Sequence, residues 1–313
     1  MNKTESGIHK CNFLTFNINK INQVRNTYIA AACLHSLIIL PTVSLNILLI
    51  ASLLRSSELR KPSTKFIFSL AVSDLLLGLI LETTLVAKKI AEVGNDFTTY
   101  CGTGMVTYIA GSYVTLVSLC TLTAIAIDRF LIVHKGNRYS TLMSNMRVKC
   151  VILTIWILVF VIVSGQLYTP RWLYFMIAAP LYMTCIVLSS ICYIKSFWTL
   201  RQQRLQNENL TEGVTGQHVA SAWRYRKSMF TMLYVFVFFN LCSVPFLCTT
   251  VAASILGETA AIWGAESIAT VINNMNSLIN PIVLFWRMKN IRKACWASCF
   301  NGTRKNYEAN QPC

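Results

Sequence analysis

The chain is 313 residues long, 54% hydrophobic and only 13% charged, with 28 Lys and Arg against 12 Asp and Glu, and its mean hydropathy is +0.51. Soluble chains carry about 25% charged residues, so this composition excludes disordered, collagenous and ordinary globular classes and leaves an integral membrane protein. Twelve Cys, most of them inside apolar runs, are too sparse for a secreted disulfide scaffold or a metal-knuckle array.

Residues 1–27 form a polar N-terminal segment with the glycosylation sequon Asn2-Lys3-Thr4. This segment lacks the short apolar core of a cleavable signal, so the first span is expected to direct its own insertion. Seven uninterrupted apolar stretches follow, near 28–54, 66–90, 98–132, 148–168, 172–199, 228–256 and 262–286. Each is long enough to cross about 30 Å of hydrocarbon, and continuous runs predict helices rather than the alternating strands of a barrel. Residues 287–313 then make a basic tail, in which Met288, Ile291, Cys295 and Trp296 share one side of a segment expected to lie on the inner leaflet. The expected fold is an all-α membrane protein: a seven-transmembrane helix bundle over residues 28–286 with a short amphipathic eighth helix.

Charge fixes the expected orientation. Twenty-one of the 28 Lys and Arg fall on the side of Arg55, Lys149 and the tail, and seven fall with the N-terminus. Cytoplasmic loops retain positive charge, so the N-terminus is expected outside and the C-terminus inside. Topology and attraction to membrane lipids thus account for the basic excess without nucleic acid. The sequons at Asn209 and Asn301 then fall on the cytosolic side, which leaves Asn2 as the expected glycan site.

Ionisable groups inside a span cost several kcal/mol and therefore point to function. Asp74, Glu82 and the Asp128-Arg129 pair stand out. In the third span Gly111, Thr115, Ser118, Leu122, Ile125 and Arg129 recur at helical spacing on one face, small and polar in its outer half and apolar further in. In the seventh, Asn273, Asn276, Ser277 and Asn280 form a polar stripe ahead of Pro281, and Asn46 adds an amide in the first. Small and amide residues also serve plain helix packing. Together with Asp74, however, they offer oxygen ligands suited to a hard cation or a proton. The His residues at 9, 35, 134 and 218 are scattered, so no catalytic constellation is expected and the chain is not read as an enzyme.

The order of features resembles that of rhodopsin-like G-protein-coupled receptors. The carriers are Leu70-Ala71-Val72-Ser73-Asp74 in the second span, Asp128-Arg129-Phe130 closing the third, Trp156 in the fourth, Pro245 in the sixth and Asn280-Pro281 in the seventh. The resemblance covers roughly residues 28–300 and implies a receptor that passes an extracellular signal to heterotrimeric G proteins, with arrestin as a further partner. It assigns Asp128, Arg129 and Phe130, with Tyr139 and Tyr193, to G-protein coupling. The restraining acid at the start of the sixth helix is absent from Arg224-Tyr225-Arg226-Lys227, which implies signalling without ligand. Asn46, Asp74, Ser118, Asn276 and Asn280 match the family's allosteric sodium pocket, Asp74 being the metal-binding carboxylate; no other cofactor is implied.

Departures from the pattern are equally specific. Ser243 stands where a tryptophan switch follows Phe239, and Leu284 replaces the tyrosine after Asn280-Pro281, leaving Tyr193 without its usual partner. Activation must then rest on Arg129, Phe239 and the Pro245 kink or take an altered form; a weakly signalling or arrestin-directed receptor is the alternative, and a transporter a more distant one. The usual cysteine is missing from the loop around Tyr168 to Trp172, and Cys101 sits three residues early. Cys101 therefore either bridges to Cys11 in the same oxidising compartment or both remain thiols. The missing loop disulfide and the displaced Pro180 are shared with melanocortin, cannabinoid and lysophospholipid receptors. The resemblance thus points to the group of melanocortin, cannabinoid, lysophospholipid and adenosine receptors.

The resemblance places Gly111 where amine receptors carry an acidic counter-ion, and Asn274 where opsins carry the retinal lysine. Adenosine receptors carry an Asn where this chain has Thr250. An amine held that way and retinal are therefore not expected. The implied ligand pocket is lined by Glu82, Tyr108, Gly111, Ser112, Thr115, Ser243, Thr249, Asn273 and Asn274, mostly neutral and small. It suits an uncharged or amphipathic molecule or a peptide at the rim, with Glu82 free to pair with one cation. The short second loop implies an uncapped entrance. Cys295 and Cys299 are either palmitoylation sites or plain cytosolic thiols.

Overall fold

The computed structural model describes residues 8–12, 14–55, 61–168, 171–208, 216–288 and 292; of residues 137, 140, 171–175, 204–208 and 216–228 it describes the backbone. Two short strands, β1 (Ile8–Cys11) and β2 (Leu14–Asn17), and the helix α1 (Ile18–Gln23) precede the first span. The spans are α2 (Arg25–Arg55); α3 (Pro62–Leu76) continuing through a π-helical segment (Leu77–Glu82) into α4 (Thr83–Val93); α5 (Phe97–Lys135); and, after the short α6 (Tyr139–Leu142), α7 (Asn145–Ser164). They continue with α8 (Arg171–Glu208), α9 (Gly216–Leu256) and α10 (Ala260–Arg287). Among the described residues, seven helices are thus long and apolar enough to cross a membrane.

Local chemistry sets the ends of these helices. Pro62 occupies the first turn of α3, where its missing N–H is not needed. The side chains of Asp96, Ser144 and Thr259 accept from backbone N–H groups of Thr99, Arg147 and Ile262 and so cap α5, α7 and α10. The helices run past the hydropathy boundaries because capping and interhelical contacts, rather than apolarity, decide where they stop. α8 reaches Glu208 although its apolar run ends near 199.

The third span lies at the centre. Leu119, Leu122, Ile125 and Ala126 join Leu49, Phe66, Ile67, Leu70, Tyr193, Met229, Phe239 and Leu284 in the main buried cluster, which draws on all seven spans. The fourth joins it through Val148, and docks further along where Trp156 Nε1 donates to Ser69 Oγ at 2.9 Å. Apolar side chains such as Leu40, Phe160 and Ile255 point outward, as lipid-facing residues must.

Two features depart from expectation. First, the fold is not purely helical: β1 and β2 pair antiparallel, Ile8 opposite Asn17 and Cys11 opposite Leu14. This hairpin covers one end of the bundle instead of leaving it uncapped. Phe16 and Ile21 are 1% exposed and cluster with Tyr28, Ala91 and Tyr100. Tyr100 Oη donates to the Thr15 carbonyl at 3.0 Å, and Lys20 Nζ reaches the Glu258 carbonyl and the face of Trp263. Cys11 and Cys101 are bonded, with Cα atoms 5.7 Å apart. An N-terminal segment rich enough in apolar groups to bury two side chains thus supplies the cover that the short second loop cannot. Second, the π-helical segment packs closely on the first span. A Cβ on Gly78 would sit 3.0 Å from Val43 Cγ2 and 3.2 Å from Thr42 Cγ2, so the approach depends on glycine.

The expected eighth helix, Cys295, Cys299, Asn2 and the sequons at Asn209 and Asn301 lie outside the described residues, as do the side chains of Arg224, Tyr225, Arg226 and Lys227.

Candidate functional site

Polar groups converge at three levels along the bundle. At the end remote from the hairpin, Arg129 is 7% exposed and Asp128 fully buried. Arg129 Nε lies 3.9 Å from Asp128 Oδ2, an ion contact too long for a hydrogen bond. Asp128 Oδ1 instead accepts from Tyr139 Oη at 2.6 Å, and that hydroxyl also meets Ser63 Oγ at 3.0 Å. Tyr139 sits between spans, and burial first, then the Asp128 charge, raises its pKa above the usual phenol value, which keeps the donating proton in place. Phe130 stacks near His134 at 4.0 Å between ring centroids. Tyr193 packs 5.5 Å from the Phe236 ring, and its hydroxyl has no hydrogen-bond partner among the described residues. Leu284, buried in the main cluster, provides none.

At the middle level Asp74 is fully buried. Ser277 Oγ donates to Oδ1 and Asn280 Nδ2 to Oδ2, both at 2.8 Å. Asn46 Nδ2 donates to the Thr42 and Ser277 carbonyls. Of the expected sodium residues, Asn280 therefore binds the carboxylate directly and Asn46 braces the same turn of α10. Ser118 bonds to Ser73 Oγ at 2.9 Å. Ser277 lies in the polar stripe but outside the expected sodium set, although its spacing of three from Asn280 puts both on one face. The amide oxygens of Asn46, Asn276 and Asn280 are buried and accept no hydrogen bond. These oxygens with the carboxylate form a donor set that suits a hard cation.

Adjoining this level is a cavity with about 10 Å³ of room for a water centre, lined by Leu77, Thr115, Ser118, Phe239, Asn273, Asn276 and Ser277. Ser243 Oγ donates to Asn273 Oδ1 at 2.9 Å and also bonds the Phe239 carbonyl. Thr115 and Asn273 of the expected ligand pocket line this space, while Thr249 turns back on the Phe246 carbonyl. Gly111 lies against Leu81, and Tyr108 and Ser112 are half-buried on the same helix. Pro245 and Pro281 are accommodated within α9 and α10.

At the outer level the structure corrects two expectations. Glu82 is not free for a ligand cation: its Oε2 lies 2.6 Å from His35 Nδ1, and both side chains are 0% exposed. His35 is correspondingly not a scattered histidine but half of a buried pair. The sequence signal was present, because His35 is the sole acid, base or imidazole in the first span between Arg25 and Arg55. Asn274 is buried on α10 with Nδ2 unpartnered. No cluster of three or more His, Cys, Asp or Glu occurs among the described residues.

The pattern of the family described as "7 transmembrane receptor (rhodopsin family)" matches residues 45–178 and 166–284. The chain belongs to this receptor family. Similar proteins include the Alpha-2B adrenergic receptor of Equus caballus, 31% identical over 133 residues, which are 42% of this receptor and 33% of that protein. The Alpha-2Da adrenergic receptor of Danio rerio is 33% identical over 123 residues, 39% of this receptor and 29% of the relative. The matched stretch thus spans about a third of these curated relatives. They lend no support to the expected kinship with melanocortin, cannabinoid, lysophospholipid or adenosine receptors.

Proposed function

We propose that this receptor is a plasma-membrane G-protein-coupled receptor, its hairpin end extracellular and its Arg129 end cytoplasmic. The observation that carries the reading is the buried Arg129 beside an Asp128 that is engaged by Tyr139 at 2.6 Å rather than by the arginine. A guanidinium that makes one loose ion contact among the described residues at the mouth of a bundle is poised for exchange to an outside partner, because separation from Asp128 forfeits little direct bonding. The positive-inside excess supports the orientation. The missing sixth-helix acid supports signalling without ligand.

The ligand is a neutral or amphipathic molecule, or a peptide touching the rim. With Glu82 taken by His35 and Gly111 lacking a side chain, the relatives' adrenergic names do not carry an amine over to this chain. A sodium ion would be held by Asp74 with the amide oxygens of Asn46, Asn276 and Asn280, and would supply charge compensation there. Ser243 and Leu284 favour a second reading, a receptor that couples weakly or through arrestin. The deciding measurement is receptor-stimulated nucleotide exchange on a panel of Gα subtypes at matched surface expression. Arg129→Ala abolishes exchange if the proposal holds; exchange undiminished in Arg129→Ala refutes it.

A further inference from the structure

We propose that His35 and Glu82 form a proton-binding site in the outer half of the bundle, completed by Asn274 of the seventh span. Three independent features of the fold converge on this pair. The π-helical segment ends at Glu82 and, by adding a residue to the turn, points that side chain toward the first span. Gly78, within the same segment, permits α2 to approach to a distance that any Cβ would obstruct. The pair itself is closed off, with Nδ1 and Oε2 at 2.6 Å and no solvent exposure.

Two atoms of the pair have no hydrogen-bond partner among the described residues: His35 Nε2 and Glu82 Oε1 are buried without one, and so is the Asn274 amide nitrogen. Ala31 and Ile38, which flank His35 on its face of α2, pack with Val271 and Ile268 of α10, and Asn274 lies one turn beyond Val271. The π-helical segment also touches α10. First, second and seventh spans therefore meet at this level, each contributing an unsatisfied polar group. Buried groups of that kind cost stability and persist where they have a use.

The chemistry follows from the two nitrogens of imidazole. With the ring neutral and its proton on Nδ1, that N–H donates to Glu82, and the Nε2 lone pair can accept from an N–H donor such as the Asn274 amide. Uptake of one proton from solvent at Nε2 turns the bond to Glu82 into an ion pair and converts the free acceptor into a donor, which an Asn274 N–H can no longer serve. A proton thus reverses which kind of group the ring can take on its seventh-span side while leaving the link to the second span intact.

Other charged groups near this layer are few and accounted for. On the second span, Asp74 lies inward and is held by Ser277 and Asn280, while Lys88, Lys89 and Glu92 lie outward and pair together. On the first span, Tyr28 sits outward beneath Lys89. On the seventh, Glu266 is the single acid or base between Ala260 and Arg287; on the third, none occurs between Asp96 and Asp128, and Tyr108 is the ionisable group on the face of Gly111.

The test uses the full chain in lipid nanodiscs and reads imidazole nitrogen chemical shifts, a measurement independent of G-protein coupling. The triple variant His9→Gln, His134→Gln, His218→Gln retains His35 as its only histidine. The expected result is a reversible change of that ring between its neutral and protonated nitrogen-shift patterns within the pH range over which the protein stays folded. Adding Glu82→Gln lowers its midpoint by about one pH unit or more, because the anion favouring the imidazolium is gone. Adding Asn274→Ala raises the midpoint, because the donor favouring the neutral ring is gone. A ring that stays in one state throughout, or a midpoint that Glu82→Gln leaves in place or moves upward, overturns the proposal. Melting midpoints of the same samples establish that each variant is folded.

Discussion

Gly78→Ala isolates the packing between the first two spans. The added Cβ would lie 3.0 Å from Val43 Cγ2 and 3.2 Å from Thr42 Cγ2, with Thr42 Cβ at 3.5 Å. Carbon atoms pack best at about 3.5–4.0 Å, so two contacts fall on the repulsive wall. Neither neighbour yields cheaply: both side chains are β-branched with restricted χ1, and Thr42 is fully buried. Overpacking of this kind costs about 1–3 kcal/mol. Gly102 supplies the control, since a Cβ there meets nothing within 4 Å and the residue lies within α5. Alanine at an open helical position gains up to about 1 kcal/mol over glycine. The two substitutions are chemically identical, yet their effects should differ in sign and be separated by roughly 1–4 kcal/mol, combining the two ranges. Thermal unfolding of purified protein in one detergent, read as midpoint shifts, measures the difference: Gly78→Ala should melt below wild type and Gly102→Ala at or above it. Equal shifts for the two variants would refute the inference that the π-helical segment is held against α2 by shape.

Tyr139→Phe removes the 2.6 Å bond to Asp128, a charge-assisted interaction worth about 1.5–3 kcal/mol. The freed carboxylate can then engage Arg129 more closely, so ligand-free nucleotide exchange should fall; a rise would argue that Tyr139 restrains the arginine instead. Because burial and Asp128 raise the Tyr139 pKa, its stabilising bond is fully present below the ordinary tyrosine value of about 10 and lost as pH climbs beyond it. The midpoint difference between wild type and Tyr139→Phe should therefore be flat from pH 6 to about 9. Removing the Cys11–Cys101 bond by the paired Ser substitutions frees a constraint with a sequence separation of 90 residues, for which chain entropy predicts about 4–5 kcal/mol. Limited proteolysis should then cut within β1 and β2 at a rate that reductant leaves unchanged, whereas reductant accelerates cleavage of wild type; an uncut hairpin would show that Phe16 and Ile21 suffice to hold it.

The spans were legible because a hydrocarbon solvent imposes a simple rule: long uninterrupted apolar runs must be helices, and the positions of Asp74, Arg129 and Asn280 fix which faces turn inward. The hairpin was not legible, since the apolar-polar alternation of residues 8–17 is broken at His9-Lys10 and again at Phe13-Leu14, and the strands gain their stability from Tyr100, Lys20 and a distant cysteine. Glu82 was misplaced for a related reason. Regular helical spacing from Asp74 sends it toward the central cavity, whereas the π-helical segment rotates it to His35, and one extra residue in a turn leaves no mark in hydrophobic periodicity. The retained signal lay in composition: an imidazole within a span otherwise devoid of charge has no inexpensive partner except a carboxylate at the same depth. Of the three carboxylates on the second span, Asp74 already accepts from two α10 donors two turns further in, and Glu92 pairs with Lys88 and Lys89 further out. Pairing ionisable residues by depth before assigning them to a ligand would therefore have joined His35 to Glu82 and removed the cation-binding acid from the expected pocket.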